Sequence, residues 1–146
     1  MHILNRRAHH DFHVLEKFEA GIHLIGPEVK AIKGGHITLE GAFVKIIGSE
    51  AYLVNAQIPL YPLARQENYD PARSRKLLLH KKEIISLKSK IQSGNLTLVP
   101  IACYTKAGFI KLEIGLARGK KRWDKREEIK KKDLERELER ELRGKE

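Results

Sequence analysis

Five short basic clusters punctuate this chain: "NRRA" (residues 5–8), "EVKAIK" (28–33), "ARSRK" (72–76), "LHKK" (79–82) and "ARGKKR" (117–122). Lysines and arginines grouped in this way do one kind of chemistry well: they neutralise the phosphates of a polyanion and release its counterions. Any one cluster alone reads as a solvated face that keeps a protein soluble. Five of them, in a chain whose formal net charge is +10, shift the balance toward RNA or DNA.

Other residue types offer little for bond making or breaking. Glu28 and His80 could share proton transfers as an acid/base pair that cleaves RNA, since a carboxylate and an imidazole suit that task. The favoured alternative is that Glu28 orients a neighbouring lysine or arginine through charge-assisted hydrogen bonds. "GPEVKAIKGG" has glycines near a lysine but neither the spacing nor the Lys-Ser/Thr ending of a phosphate-binding loop. His9 and His10 are adjacent, so on a strand they point apart, and no cysteine or carboxylate pattern completes a metal site around them. Cys103 falls inside the apolar run "VPIACY" and reads as a small buried hydrophobe. No catalytic residue, metal or cofactor is expected.

Aromatic content bears on which form of nucleic acid would bind. Single-strand binders stack bases on exposed rings, whereas this chain has four Phe, four Tyr and one Trp, most of them inside apolar runs that a core will claim. Recognition of the backbone and shape of a folded RNA fits better.

The elements that must carry these groups are mostly strands. "FHVLEKFEAGIHLIG" (12–26) reads as one bent strand, with Val14, Phe18, Ile22 and Leu24 broken by polar residues and Gly21. "GPEVKAIKGG" predicts a helix of about two turns, started by Gly26-Pro27 and stopped by Gly34-Gly35. Residues 43–47 and 51–58 form a hairpin across Gly48-Ser49-Glu50. "RQENYDPARSRK" reads as an exposed loop carrying Arg65, Arg73, Arg75 and Lys76. Ile84, Leu87 and Ile91 predict an amphipathic helix ended at Gly94. "LTLVPIACY" and "FIKLEIGLA" pair across "TKAG", and in the second arm Ile110, Leu112, Ile114 and Leu116 alternate with residues free to meet solvent or a ligand. Six strands with two inserted helices and few long crossovers predict a mainly β protein, a small antiparallel barrel of the oligonucleotide-binding kind.

Composition breaks near residues 115–119. From Arg118 onward, 13 of 29 residues are Lys or Arg and nine are Asp or Glu, so the core must lie in residues 1–117 and residues 118–146 form a basic, mixed-charge tail. One domain is what 146 residues allow. A single cysteine needs no oxidising compartment, and no run of 18 apolar residues suits a membrane span, so a cytoplasmic protein, monomeric when free, is expected.

"NRRA", "FEAGIHLIGPEVKAI", "YDPARSRKLLLHKKEI", "LTLVPIACY" and "LARGKKRWDKREEIKKKD" resemble, in that order, the SsrA-binding protein family, partners of transfer-messenger RNA in bacterial ribosome rescue. The likeness runs from Asn5 to about Arg140. It implies a barrel that holds the tRNA-like part of transfer-messenger RNA, a tail that enters the decoding region and empty messenger channel of the ribosome, and no covalent catalysis. By that likeness Asn5, Arg6, Glu28, Lys30, Lys33, Arg75, Lys76, His80, Lys120 and Lys121 are candidates for the RNA face. Trp123, Asp124, Lys125 and Arg126 open the ribosomal tail, which continues through Lys130, Lys131 and Lys132. Pro27 and Ala31 stand where members commonly have threonine and serine, so any hydroxyl contact to RNA there is absent. Trp123 replaces a smaller aromatic and keeps a stacking surface. A generic ribosome-associated or initiation-factor-like RNA-binding barrel is the alternative, but it would not need the long tail.

The tail favours helix by composition, with acidic-first pairs four apart at Glu127/Lys131, Glu128/Lys132 and Glu139/Arg143, each worth about 0.2–0.5 kcal/mol. Leu134, Leu138 and Leu142 give only a narrow apolar stripe. With no surface to pack on, the tail is expected to be largely disordered when free and helical when bound, a solvated helix being the alternative.

Overall fold

The computed structural model describes the backbone of residues 1–60, 68–120 and 122–144, and their side chains apart from 122–125, 127, 128 and 141–144. In chain order the elements are β1 (His2–Leu4), α1 (Arg6–Asp11), β2 (Phe12–Ile22), α2 (Gly26–Lys33), β3 (Phe43–Ile47), β4 (Glu50–Val54), β5 (Arg75–Leu78), α3 (Lys81–Gly94), β6 (Thr97–Lys106), β7 (Phe109–Gly119) and α4 (Arg122–Gly144). Strands run in the order β6-β3-β4-β5-β2-β7, and β7 pairs again with β6 to close a six-stranded antiparallel barrel. β1 lies outside the ring, on the edge of β6. This is the mainly β barrel that the strand pattern predicts, with β1 and α1 added.

The hairpin of β6 and β7 is the longest local pairing, and its turn shrinks to Ala107 and Gly108, both left-handed at φ +51° and +81°. Two positive φ values in a row are what a tight type I′ hairpin demands. β4 stops at Val54, four residues earlier than expected, because Asn55 turns left-handed at φ +65°. α3 runs through Gly94, and Asn95 takes the left-handed cap in its place.

Ile32 from α2, Leu87 from α3 and Leu53, Leu77, Leu98, Leu112, Ile114 and Leu116 from the barrel fill one core at almost no exposure. Burying each such side chain stabilises by about 1.5–3 kcal/mol. A smaller cluster of Ala8, Val99, Ile101 and Ala117, with Phe12 and Val14 against it, lies where α1 covers the barrel's outer wall. This second cluster alters one expectation. The outward face of β7 is not open along its length, since Gly115 and Ala117 are buried as well as Ile114 and Leu116. A Cβ on Gly115 would lie 3.0 Å from the Ile101 and Val14 side chains, tighter than an ordinary contact, so a larger residue there would have to push them aside.

α1 is the element the sequence hid, and Asn5 builds it. Its Oδ1 accepts from the Ala8 N–H (3.3 Å), capping the helix, and its Nδ2 donates to the carbonyls of Pro100 (2.8 Å) and Leu39 (3.3 Å). Its backbone N–H donates to Ile101 O at 2.8 Å. Pro100 has no N–H, and the β6–β7 register slips between Pro100 and Ala102. Asn5 thus ties β1 and α1 to the bulge. His9 and His10 sit on this helix and not on a strand.

The tail is helical from Arg122 to Gly144, the solvated helix that the sequence offers as its alternative. Its described side chains, Arg126 and residues 129–140, are all exposed, including Ile129, Leu134 and Leu138.

Candidate nucleic-acid interface

Glu28 occupies the third position of α2, where its Oε1 accepts from the Ile25 N–H at 3.0 Å. Ile25 has no side chain able to cap, so this carboxylate satisfies a free amide at the helix start. The same carboxylate holds two arginines, Arg73 just before β5 and Arg75 at its start. Oε2 accepts from Arg75 Nε (2.9 Å) and Nη2 (2.7 Å) and from Arg73 Nε (3.1 Å), and Oε1 also accepts from Arg73 Nη2. Tyr69 Oη lies 2.9 Å from Glu28 Oε2 and 2.8 Å from Ile58 O, with one proton to share between them.

Arg75 completes the lattice. Its Nη1 donates to Ala56 O at 2.8 Å, and its Nη2 reaches Tyr69 Oη and Pro71 O, both at 2.9 Å. The Glu28 and Arg75 side chains are 0% exposed, whereas that of Arg73 is 35% exposed. Burial is the largest single influence on the Glu28 carboxyl and raises its pKa. The hydrogen bonds from Arg73, the Ile25 amide, Arg75 and Tyr69 together outweigh it and hold the group at about 2.

These distances settle several sequence expectations. The Glu28 carboxyl, held at about 2 and bonded to two guanidinium groups, is in the charged form that the orienting role needs. His80 is the exposed residue that starts α3, and its backbone N–H donates to Glu83 at 3.3 Å. Arg75 does not belong to an exposed loop: it points into the barrel from β5, and Lys76 and Leu78 take the outward positions. Asn5 is also buried, at the cap of α1. Glu28, Arg75 and Asn5 therefore hold a surface and do not form it.

The surface itself carries the other candidates. Lys30 and Lys33 are exposed on α2, Lys76 on β5 and His80 at the head of α3. Lys76 Nζ donates to Glu50 Oε1 at 3.0 Å. Arg73 emerges from the buried lattice into this group. Two arginines meet one carboxylate there, so the lattice keeps one net positive charge, and Arg73 brings it to solvent.

A second group gathers at α1. Arg6 is exposed beside buried Asn5. Lys120 Nζ donates to His9 O at 2.9 Å, capping the end of the helix, and its N–H donates to Asp11 O at 2.8 Å. Between this corner and α4 lies a cleft of about 610 Å³ walled by His9, His13, Lys17 and Lys120 on the barrel side and by Lys131, Lys132 and Glu135 on the tail. Arg126 and Lys130 are exposed on α4. Arg65 and Lys121 lie outside the described residues, and for Trp123, Asp124 and Lys125 only the backbone is described, in α4. Among the described residues no three His, Cys, Asp or Glu side chains group as metal ligands. Cys103 is buried, and burial pushes its thiol up to about 12.

Sequence reasoning missed Tyr69 and the pairing role of Arg73, as well as His9, His13 and Lys17. Arg73 stands two residues before Arg75, a spacing that returns extended chain to the same face. Nothing local marks Tyr69, whose partner Glu28 is 41 residues away.

The SmpB protein family model covers residues 2–144. The SsrA-binding protein of Corynebacterium diphtheriae is 47% identical over 82% of this chain and 74% of its own length. That of Carboxydothermus hydrogenoformans is 48% identical over 82% of this chain and 80% of its own. A chain solved in work on tmRNA-SmpB in the bacterial ribosome is 45% identical, superposes with a TM-score of 0.68, and shares 83% of this chain and 85% of that one. From its N-terminal strand to the end of the tail helix, this chain belongs to the SmpB family.

Proposed function

We propose that this protein binds the tRNA-like part of transfer-messenger RNA and delivers it to stalled ribosomes in the cytoplasm, without catalysing a covalent reaction. Residues 1–117 act as the RNA-binding barrel, and residues 118–146 probe the decoding region and the messenger channel. Membership of the SmpB family is the observation that carries this reading. The geometry supports it by giving the parts distinct work. Glu28 and Arg75 lock α2 to β5, so Lys30, Lys33, Arg73, Lys76 and His80 stand on rigid elements as phosphate-facing groups. Arg6 and Lys120, with Lys121 next in sequence, offer a second point of contact. Fixed cations lose little entropy on binding, which suits recognition of an RNA's backbone and shape.

Titrating the full chain against transfer-messenger RNA in a gel shift, with bulk tRNA as competitor, tests the reading. Specific retention over tRNA is expected, and equal affinity for both RNAs would reject it. In the same assay Lys33→Glu should weaken binding and make the slope of log affinity against log salt shallower by about one. An unchanged slope removes Lys33 from the phosphate contacts.

A further inference from the structure

Cations can hold an RNA, but phosphates are alike at every nucleotide and carry no sequence information. A cavity of about 310 Å³ between α1, the turn at residues 39–42 and the start of β6 has a different make-up. Ala8, Phe12, Ala42, Phe43 and Val99 give it apolar walls, and Arg7 and Asp11 add one charge of each sign. Its walls are tied together by the fold. Asn5 Oδ1 caps α1 on one side while its Nδ2 donates to Leu39 O on the other. The Ala42 N–H donates to the same Leu39 carbonyl at 3.0 Å, and Asn55 Nδ2 donates to Gly41 O at 3.3 Å. Phe43, at the head of β3, keeps its ring 42% exposed at this cavity. Asp11 is the last residue of α1, where a helix's own dipole disfavours a negative charge, so the helix does not call for it. Arg7 Nε lies 3.6 Å from Asp11 Oδ2, one helical turn away, and the pair is largely in water, where it contributes little to stability.

We propose that this cavity takes one unpaired guanine base of an RNA. Apolar walls and an open ring suit the flat faces of a base, and a charged pair suits its polar edge. The sign of each charge selects the base. An ionised carboxylate only accepts hydrogen bonds and a guanidinium only donates them. Guanine's Watson–Crick edge is the one that sets two adjacent donors, N1–H and the 2-amino group, beside an acceptor, O6. Asp11 accepts from the two donors and Arg7 donates to O6. A carboxylate has about four acceptor sites, so Asp11 can do this and keep the partners it has. Adenine, cytosine and uracil each turn a lone pair toward the carboxylate, which repels it. The preformed walls reduce what binding costs in ordering the protein. The proposal rests on the RNA-binding reading above and adds to it a contact that reads sequence.

Fluorescence anisotropy of the full chain with the labelled pentanucleotides UUGUU and UUAUU tests it. The guanine strand should bind about tenfold more tightly, the share that one good bidentate contact supplies. A strand with inosine, which lacks the 2-amino group, should fall between them. Asp11→Asn, which keeps the size of the side chain, should bring guanine and adenine close to equal. Arg7→Gln, at an exposed side chain, should shrink the ratio through O6. Phe43→Ala should weaken both strands by about fivefold or more and leave their ratio unchanged, because stacking tolerates any base. A merely structural role for these residues would move affinity or urea midpoint and not the ratio. Equal binding of the two strands by the parent protein would overturn the proposal, as would a guanine preference that survives Asp11→Asn, or affinities that Phe43→Ala leaves as they were. A gel shift with transfer-messenger RNA on the same samples separates the two levels. Retention of that RNA without a guanine preference defeats the cavity alone, and a guanine preference without such retention defeats the reading beneath it and leaves the cavity standing.

Discussion

Barrel and tail are both basic, but they handle charge in opposite ways. In the barrel, Glu28 and Arg75 are withdrawn from water, and every polar atom of the pair that the fold buries has a partner. In α4 the described charges all stay in water, interleaved in sign along the helix, with Ile129, Leu134 and Leu138 exposed among them. A buried ion pair fixes geometry, because any movement costs desolvation without return. An exposed one fixes almost nothing, since solvent and salt replace it at little cost. The barrel can therefore present cations at set positions, and the tail can adapt to the path it enters.

The sharpest way to break that contrast is Glu28→Gln. Removing the carboxylate leaves Arg75 buried beside a neutral amide, and the loss of one partner from such a pair costs about 3–5 kcal/mol. Urea denaturation should show a loss of that order. Acid should do the same to the parent protein. The Glu28 pKa falls from an ordinary 4.5 to about 2 on folding. Its contribution is thus fully present above pH 4.5 and is lost as pH falls from there toward 2, by on the order of 3 kcal/mol. Glu28→Gln should lack this component of the acid transition. A variant as stable as the parent, with the same acid profile, would place the pair's energy elsewhere.

How far the sequence foretold this structure follows the same division between local and distant causes. The hairpin of β6 and β7 was legible because Ile110, Leu112, Ile114 and Leu116 alternate and Gly108 marks the turn. α2 was legible from Gly26-Pro27 and Gly34-Gly35, which act on their own neighbours. Arg75 was not. Set between Ser74 and Lys76, just after Asp70-Pro71, it has the local character of a loop, and what buries it is a carboxylate 47 residues earlier. α1 escaped for another reason. Six residues with two arginines and two histidines have no apolar period, and the helix exists because Asn5 caps it and β6 has carbonyls to bond. The basic clusters were visible as composition. Which of their members face outward was decided by the barrel.

A smaller effect is expected at Asn5. Asn5→Ala removes the cap of α1 and frees the carbonyl of Pro100 from its donor. An N-cap loss costs about 0.5–2 kcal/mol, and an orphaned buried carbonyl adds about 1–3 kcal/mol if no water replaces the donor. The sum should fall below that for Glu28→Gln, because no ionised group is left unpaired. Asn5→Asp sharpens the point. It can still accept from the Ala8 amide, but it turns a carboxylate toward two carbonyls, so it should be no better than alanine. Urea midpoints for the three variants would order them, and an Asp variant more stable than the Ala variant would show that capping alone matters at this position.

The smallest effect on stability, and the largest separation of stability from function, is expected when residues 124–146 are removed. None of the described α4 side chains is buried, so their loss takes no apolar area from the barrel core, and surface changes of this kind usually stay within about ±0.5 kcal/mol. The barrel's urea midpoint should barely move. What should disappear is circular dichroism from a helix that melts gradually and apart from the barrel, since exposed pairs four residues apart give only tenths of a kcal/mol each. RNA retention should persist, because Glu28, Arg75 and the cations they position remain. Tagging of a stalled peptide in a reconstituted translation assay should stop, because nothing is left to occupy the messenger channel. With the intact chain, longer messenger downstream of the stall should inhibit tagging by filling the path the tail would take. A truncated protein that tags normally would remove the tail from the mechanism. One whose barrel unfolds would show instead that α4 is packed where its side chains are exposed here, and the contrast between the two regions would fail.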